Sequence, residues 1–232
     1  MKDRDLYKVY FCIKSDEVSI YVKNNDNSEI VFFKKKKIIK NTYPIYMEDI
    51  QLFFNEKIEE IENKIKIFIE NIVLILEHDK IFSVQLSFKQ KIENRNIYNE
   101  EIKNLLSIGL QQIYKHNLNH QILHYVIESF NIDGQMCDSF ENKIIKKFFS
   151  MDLKFICVEQ KLIQDFKNLF KKKQIFLEKV ISINYLNELM TDKDDIVNLA
   201  SKIERGQNKL EVQLVPKKAL KTGFFENFFL SF

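Results

Sequence analysis

The chain predicts an α+β fold. Its opening stretch alternates apolar and polar side chains with the period of two that a half-buried strand requires. Residues 47–66 and 98–116 instead repeat apolar side chains at the three-to-four spacing of amphipathic helices, and strand and helix signals follow one another without a regular βα alternation. A composition of 45% hydrophobic and 30% charged residues over 232 positions supplies a real core inside a solvated surface.

The elements follow in order. Residues 9–13 place Val9, Phe11 and Ile13 on one face, and 18–23 do the same with Val18, Ile20 and Val22. The sequence NNDNS at 24–28 is a turn, 29–33 opens a third strand, and Tyr43-Pro44 breaks the chain. In 47–66, Ile50, Phe53, Phe54, Ile58, Ile61 and Ile65 form a helical stripe with Glu and Lys between them. Residues 71–76 and 80–88 read as strands; in the second, Phe82, Val84, Leu86 and Phe88 alternate with Ser83, Gln85 and Ser87. Ile102, Leu105, Leu106, Ile108, Gly109 and Ile113 mark the buried side of the helix at 98–116. The run QILHYVIESFNIDGQ at 121–135 is rich in β-branched and aromatic residues and ends in Asp-Gly, so it predicts a buried strand and a tight turn. A strand at 153–159, a helix at 160–170, a strand at 175–183 and a short helix through Ile196, Leu199, Ala200 and Ile203 complete the order. From residue 80 the series strand, helix, strand, strand, helix, strand fits a small sheet with helices on one face.

Composition and spacing exclude several function classes. Thirty-six basic against 33 acidic residues leave a net charge of +3, without the clustered excess of a nucleic-acid binder. Four glycines and two prolines leave little material for a glycine-rich phosphate loop. Cys12, Cys137 and Cys157 have no metal or redox spacing and read as reduced thiols. The charged start MKDRDLYK reads as no signal peptide, and no uncharged apolar run reaches the roughly 18 residues of a spanning helix, so a cytoplasmic setting is expected. His116, His120 and His124 are spaced by four, as in some zinc helices, but a helix end and a strand separate them and they diverge. Asp192, Asp194 and Asp195 lack the glycine and closing glutamate of a calcium loop and read as a solvated helix start. No serine has a nucleophile-elbow context, Glu59-Glu60 lies on an exposed helix face, and the lysines 34–37 read as a charged strand edge. No metal and no cofactor are expected.

The run at 121–135 resembles the strand that opens the second half of the inserted subdomain in the bacterial cell-division family FtsA. That family carries the form R-x-L-H-x-x-x-x-x-[FY]-x-[IV]-D-G-[QE]. Leu123, His124, Phe130, Ile132, Asp133, Gly134 and Gln135 stand at the matching places, with Asn119 or His120 where the upstream basic residue would be. The element order over residues 5–190 is similar to the N-terminal half of the family. The resemblance implies a partial actin-like (ribonuclease-H-like) lobe formed by 1–78 and 175–200. Into it is inserted a strand-helix-strand-strand (SHS2) subdomain at 79–174, and the second lobe is missing, since too little chain follows Ile183 to build it. The family's first phosphate loop, D-x-G-[ST], lies between its first two strands. The corresponding turn here is Lys14-Ser15-Asp16-Glu17, without the glycine that lets backbone N–H groups approach a phosphate and with an acidic pair that repels one. A degenerate relative that binds no nucleotide and catalyses nothing is therefore expected. The family's FtsZ-binding face is on the missing lobe and is expected to be absent as well.

A linker at 201–216 is expected, followed by KKALKTGFFENFFLSF. On a helix, Leu220, Phe224, Phe225, Phe228, Phe229 and Phe232 form one stripe, with Lys217, Lys218 and Lys221 at its start. That is the pattern of an interfacial helix, each lysine near anionic lipid contributing about 1 kcal/mol; the competing reading is a terminal helix docked on the protein's own core. FtsA proteins end in a similar membrane helix. The resemblance thus implies a peripheral protein on the inner face of the cell membrane, at midcell, contacting other division proteins and itself through the inserted subdomain. The alternative is a binding module of another actin-like scaffold, similar to the pilus-assembly protein PilM, which lacks that tail. A nucleic-acid-binding α+β domain is a third class, opposed by the near-neutral charge.

Overall fold

The computed structural model describes residues 6–38, 45–92, 95–96, 98–116, 119–137, 144–191, 195–208 and 210–212. In chain order the elements are β1 (Tyr7–Ile13), β2 (Glu17–Asn24), β3 (Ile30–Lys37), α1 (Ile45–Ile65), β4 (Asn71–Leu76), β5 (Ile81–Lys91), β6 (Arg95–Asn96) and α2 (Asn99–His116). They continue with β7 (His120–Ile132), β8 (Gln135–Cys137), β9 (Ile144–Ile145), β10 (Phe148–Glu159), α3 (Gln160–Lys171), β11 (Phe176–Ser182), α4 (Ile183–Leu189) and α5 (Ile196–Glu204).

The first sheet has the order β11-β4-β1-β2-β3. β1, β2 and β3 pair antiparallel, while β1–β4 and β4–β11 are parallel. The period of two sends Val9, Phe11 and Ile13 with Ile72, Leu74 and Leu76 into one core, and Tyr10 and Cys12 with Val73 and Ile75 into another. α1 and α3 cover the first core: the Phe11 ring meets Phe54 edge-on at 5.4 Å and Phe170 at 5.9 Å. Leu186, Val197 and Ala200 of α4 and α5 cover the second. A strand buried on both faces needs an unbroken apolar sequence, which is why β4 reads NIVLIL. Three antiparallel strands followed by two parallel ones, with helices on both faces, is the ribonuclease-H-like arrangement of an actin-like lobe. The mixed α+β class and the partial lobe expected from the sequence are thus present.

The second sheet, β5-β10-β7-β8, is antiparallel throughout. α2 covers one face, with Ile102 and Ile113 joining Met151, Leu153 and Phe155 in a third core. A short β6–β9 ladder stands apart. No helix among the described residues is long and apolar enough to cross a membrane.

Four features differ from the sequence reading. The helix at 160–170, grouped there with the inserted subdomain of 79–174, buries Leu162, Ile163, Phe166, Leu169 and Phe170 in the first core, against α1 and the first sheet. β10 starts at Phe148, five residues before the expected 153, and α4 was not foreseen. The expected linker of 201–216 is not free where it is described. Residues 201–204 belong to α5, and Glu211 forms an antiparallel bridge with Val126 of β7. The Ile127 N–H donates to Leu210 O at 2.8 Å and the Val212 N–H to Tyr125 O at 2.7 Å. The predicted membrane segment, Lys217, Lys218, Leu220, Lys221, Phe224, Phe225, Phe228, Phe229 and Phe232, lies outside the described residues.

Candidate functional site

The β1–β2 turn lies at the C-terminal ends of β1 and β4, where open α/β sheets commonly hold ligands. Four of its backbone groups are engaged internally. The Lys14 N–H donates to Glu17 O and the Ile38 N–H to Asp16 O, both at 2.8 Å. The Ser15 N–H donates to Glu77 Oε2 at 3.1 Å, and Glu77 in turn donates its own N–H to Ile13 O at 2.9 Å. A phosphate placed here would meet the Glu77 carboxylate on the amide it needs, with Asp16 and Glu17 adding charge of the same sign. These residues do not fit a nucleoside triphosphate. Among the described residues no group of three or more His, Cys, Asp or Glu side chains is placed to hold a metal ion.

The motif run divides into architectural parts. Leu123, His124, Phe130 and Ile132 lie in β7, Asp133 and Gly134 form the hairpin turn, and Gln135 begins β8. Asp133 (φ 52°) and Gly134 (φ 92°) are both left-handed, as a type I′ hairpin requires at its two central residues. The Gly134 N–H donates to Asn131 Oδ1 at 2.9 Å. The Asp133 carboxylate accepts three backbone N–H groups, from Lys146 at 2.8 Å, Lys147 at 2.7 Å and Phe148 at 3.0 Å. Those donors, Phe148 foremost, hold its carboxyl below the usual carboxylate range. The turn thereby latches the entry of β10, which explains that strand's early start.

His124 is the centre of a buried polar hub. It is 1% exposed, and burial holds its pKa below the usual imidazole value. The Ser182 N–H donates to Nε2 at 3.1 Å, and Nδ1 lies 2.9 Å from Glu211 Oε1. A backbone N–H can only donate, so Nε2 accepts, and the ring proton sits on Nδ1 and points at Glu211. Tyr185 donates its hydroxyl to Glu211 Oε2 at 3.1 Å, Asn208 Nδ2 donates to that hydroxyl at 2.7 Å, and the His124 and Tyr185 rings lie 4.1 Å apart. The hub joins β7 of the second sheet, the β11–α4 junction of the first, and the segment after α5. It holds no nucleophile–base pair, because Ser182 meets the imidazole through its backbone while its Oγ accepts from the Tyr185 N–H and caps α4. Glu211, Tyr185 and Ser182 were not singled out from the sequence. The signal available was the alternation LEVQLV at 210–215, a strand pattern inside a stretch read as linker.

The remaining candidates are dispersed. His116 ends α2, whereas His120 opens β7 with its ring edge-on to Phe82 at 4.9 Å. Asp195 caps α5 by accepting the Val197 N–H at 2.9 Å, while Asp192 and Asp194 lie outside the described residues. Burial pushes the Cys12 and Cys157 thiols up to about 11, which keeps them unreactive near neutral pH.

No protein-family model matches the chain, and no curated protein matches it. Solved structures do. The PilM-PilN type IV pilus biogenesis complex aligns at a TM-score of 0.49 and 5% identity, over 78% of this chain and 49% of the other. The cytoplasmic domain of EpsL, an inner membrane component of the type II secretion system of Vibrio cholerae, aligns at 0.39 and 10% identity, over 76% of this chain and 57% of that one. A Bacteroides thetaiotaomicron protein with an actin-like ATPase fold and unknown function aligns at 0.34 and 11% identity, over 81% and 56%. The chain thus spans about half the length of these structures. The assignment of the lobe rests on its strand order and not on these likenesses.

Proposed function

We propose that the chain is a non-enzymatic scaffold similar to the FtsA division proteins, attached to the inner face of the cell membrane through residues 217–232 and acting through protein contacts of its second sheet. One observation carries the non-enzymatic part: the Ser15 N–H, on the turn where an actin-like enzyme would cradle phosphate, is bonded to the Glu77 carboxylate. Titration with magnesium ATP by calorimetry checks it. The expected result is no heat beyond dilution, and micromolar affinity would sink the reading.

The membrane part is tested separately. The full-length protein is expected to co-sediment with anionic liposomes, and a chain ending at Pro216 is not; equal sedimentation of both removes the anchor. A second reading, a binding module of a pilus-type actin-like scaffold, shares the lobe-and-insert architecture and differs in its place in the cell. A fluorescent fusion enriched at midcell favours the division reading, and a polar or diffuse signal favours the second.

A further inference from the structure

At the base of the first sheet, where β4 and β11 begin, a groove of about 1130 Å³ opens between α3 and the start of β11. It lies at the opposite end of β4 from Glu77 and the β1–β2 turn. Two phenylalanines line it almost bare: Phe68 is 83% exposed and Phe176 is 73% exposed. The other described phenylalanines of the first sheet and its helices, apart from Phe33 on the far edge strand, are buried. Two large aromatic rings left in water on one concave surface mark a contact site.

The charge on the same groove indicates what would fill it. Lys167 and Lys171 project from α3, and their ammonium groups have no partner among the described residues. Lys173, at the rim, is already held by Glu59 at 2.6 Å. β11 is the edge strand of the sheet; the N–H of its last residue, Ser182, is taken by His124, so an added segment would meet its opposite, Phe176 end. We infer that this groove docks an acidic segment of a partner protein that carries apolar side chains, its carboxylates meeting Lys167 and Lys171 and its apolar groups covering Phe68 and Phe176. Glu62 and Glu70 also stand in its walls, the first accepting the Ile69 N–H at 2.9 Å, so the partner's carboxylates are confined to the α3 side; a bilayer fits less well because the surface is concave. The inference is independent of the proposed function, since the groove is on the first sheet and the proposed function acts through the second.

The test uses the full chain and a fluorescein-labelled octapeptide of alternating leucine and glutamate, read by fluorescence anisotropy. Saturable binding is expected, weakened at least tenfold in a Phe68→Ser/Phe176→Ser variant and again in a Lys167→Glu/Lys171→Glu variant. An alternating leucine–lysine octapeptide is expected not to bind. All four side chains are exposed, so thermal unfolding by circular dichroism should be unchanged in both variants. No binding of the acidic peptide, equal binding by the variants, or equal binding of the lysine peptide overturns the inference. So does vesicle binding, with phosphatidylserine, that these same substitutions abolish while no peptide binds.

Discussion

His124 shows how one side chain sets a pH dependence. Its folded pKa is depressed by burial, below the 6.5 of an exposed imidazole. Above that value both the folded and unfolded states hold it neutral, and its contribution is fully present. As pH falls below 6.5 the unfolded imidazole takes up a proton that the folded one refuses, so stability declines by at most about 1.4 kcal/mol per pH unit until the folded pKa is passed. Urea unfolding at pH 7.5 and 5.5 should show this decline, and His124→Leu should flatten it; equal slopes in both proteins would clear His124 of the role. At pH 7.5 the same substitution strands the buried Ser182 N–H and leaves the Glu211 carboxylate with Tyr185 but without the imidazole, an expected loss of about 3 kcal/mol. In the sequence His124 and Asp133 stood out together, yet their partners did not. A motif marks residues adjacent in the chain, whereas Glu211 is 87 positions from His124 and the amides that Asp133 binds are 13 to 15 positions on.

Among elements, α2 and α3 were both legible from apolar spacing, which shows the buried face of a helix but not what that face meets. α2 meets the second sheet at close range. A Cβ added at Gly109 would stand 3.0 Å from Leu153 Cδ1, 3.3 Å from Phe155 Cζ and 3.3 Å from Tyr125 Oη, and that tyrosine is anchored to Leu106 O at 2.8 Å. Gly109→Val should therefore destabilise by about 2 kcal/mol through overpacking, despite removing a poor helix former; an unchanged denaturation midpoint would show that α2 can shift away. α3 instead packs on the first sheet, where Phe170 lies 4.9 Å from Phe54 and 5.9 Å from Phe11. Phe170→Ala is expected to cost about 4 kcal/mol by chemical denaturation. A loss under 1 kcal/mol would mean that α3 is not part of that core.

At the scale of the whole molecule, two strands thread all three cores. β10 gives Leu153 and Phe155 to the third core, Ile156 to the second and Val158 to the first. β7 gives Tyr125 and Phe130 to the third and Val126 to the second, and Leu123 packs against the first. The hub at His124 adds a polar tie across the same junction, made by a segment after α5. An inserted subdomain joined only by two connectors would melt on its own. Here no strand of the second sheet's centre can unfold without opening the cores of the first, so the two should unfold as one unit. Scanning calorimetry of the full chain should give one transition with calorimetric and van't Hoff enthalpies that agree. Glu211→Ala removes the acceptor of both His124 and Tyr185, and it should lower that single midpoint without splitting it, because the apolar threading by β7 and β10 remains. Two resolved transitions in the unmodified protein would mean that the sheets are only tethered. Two in Glu211→Ala alone would mean that the hub, and not the strands, couples them.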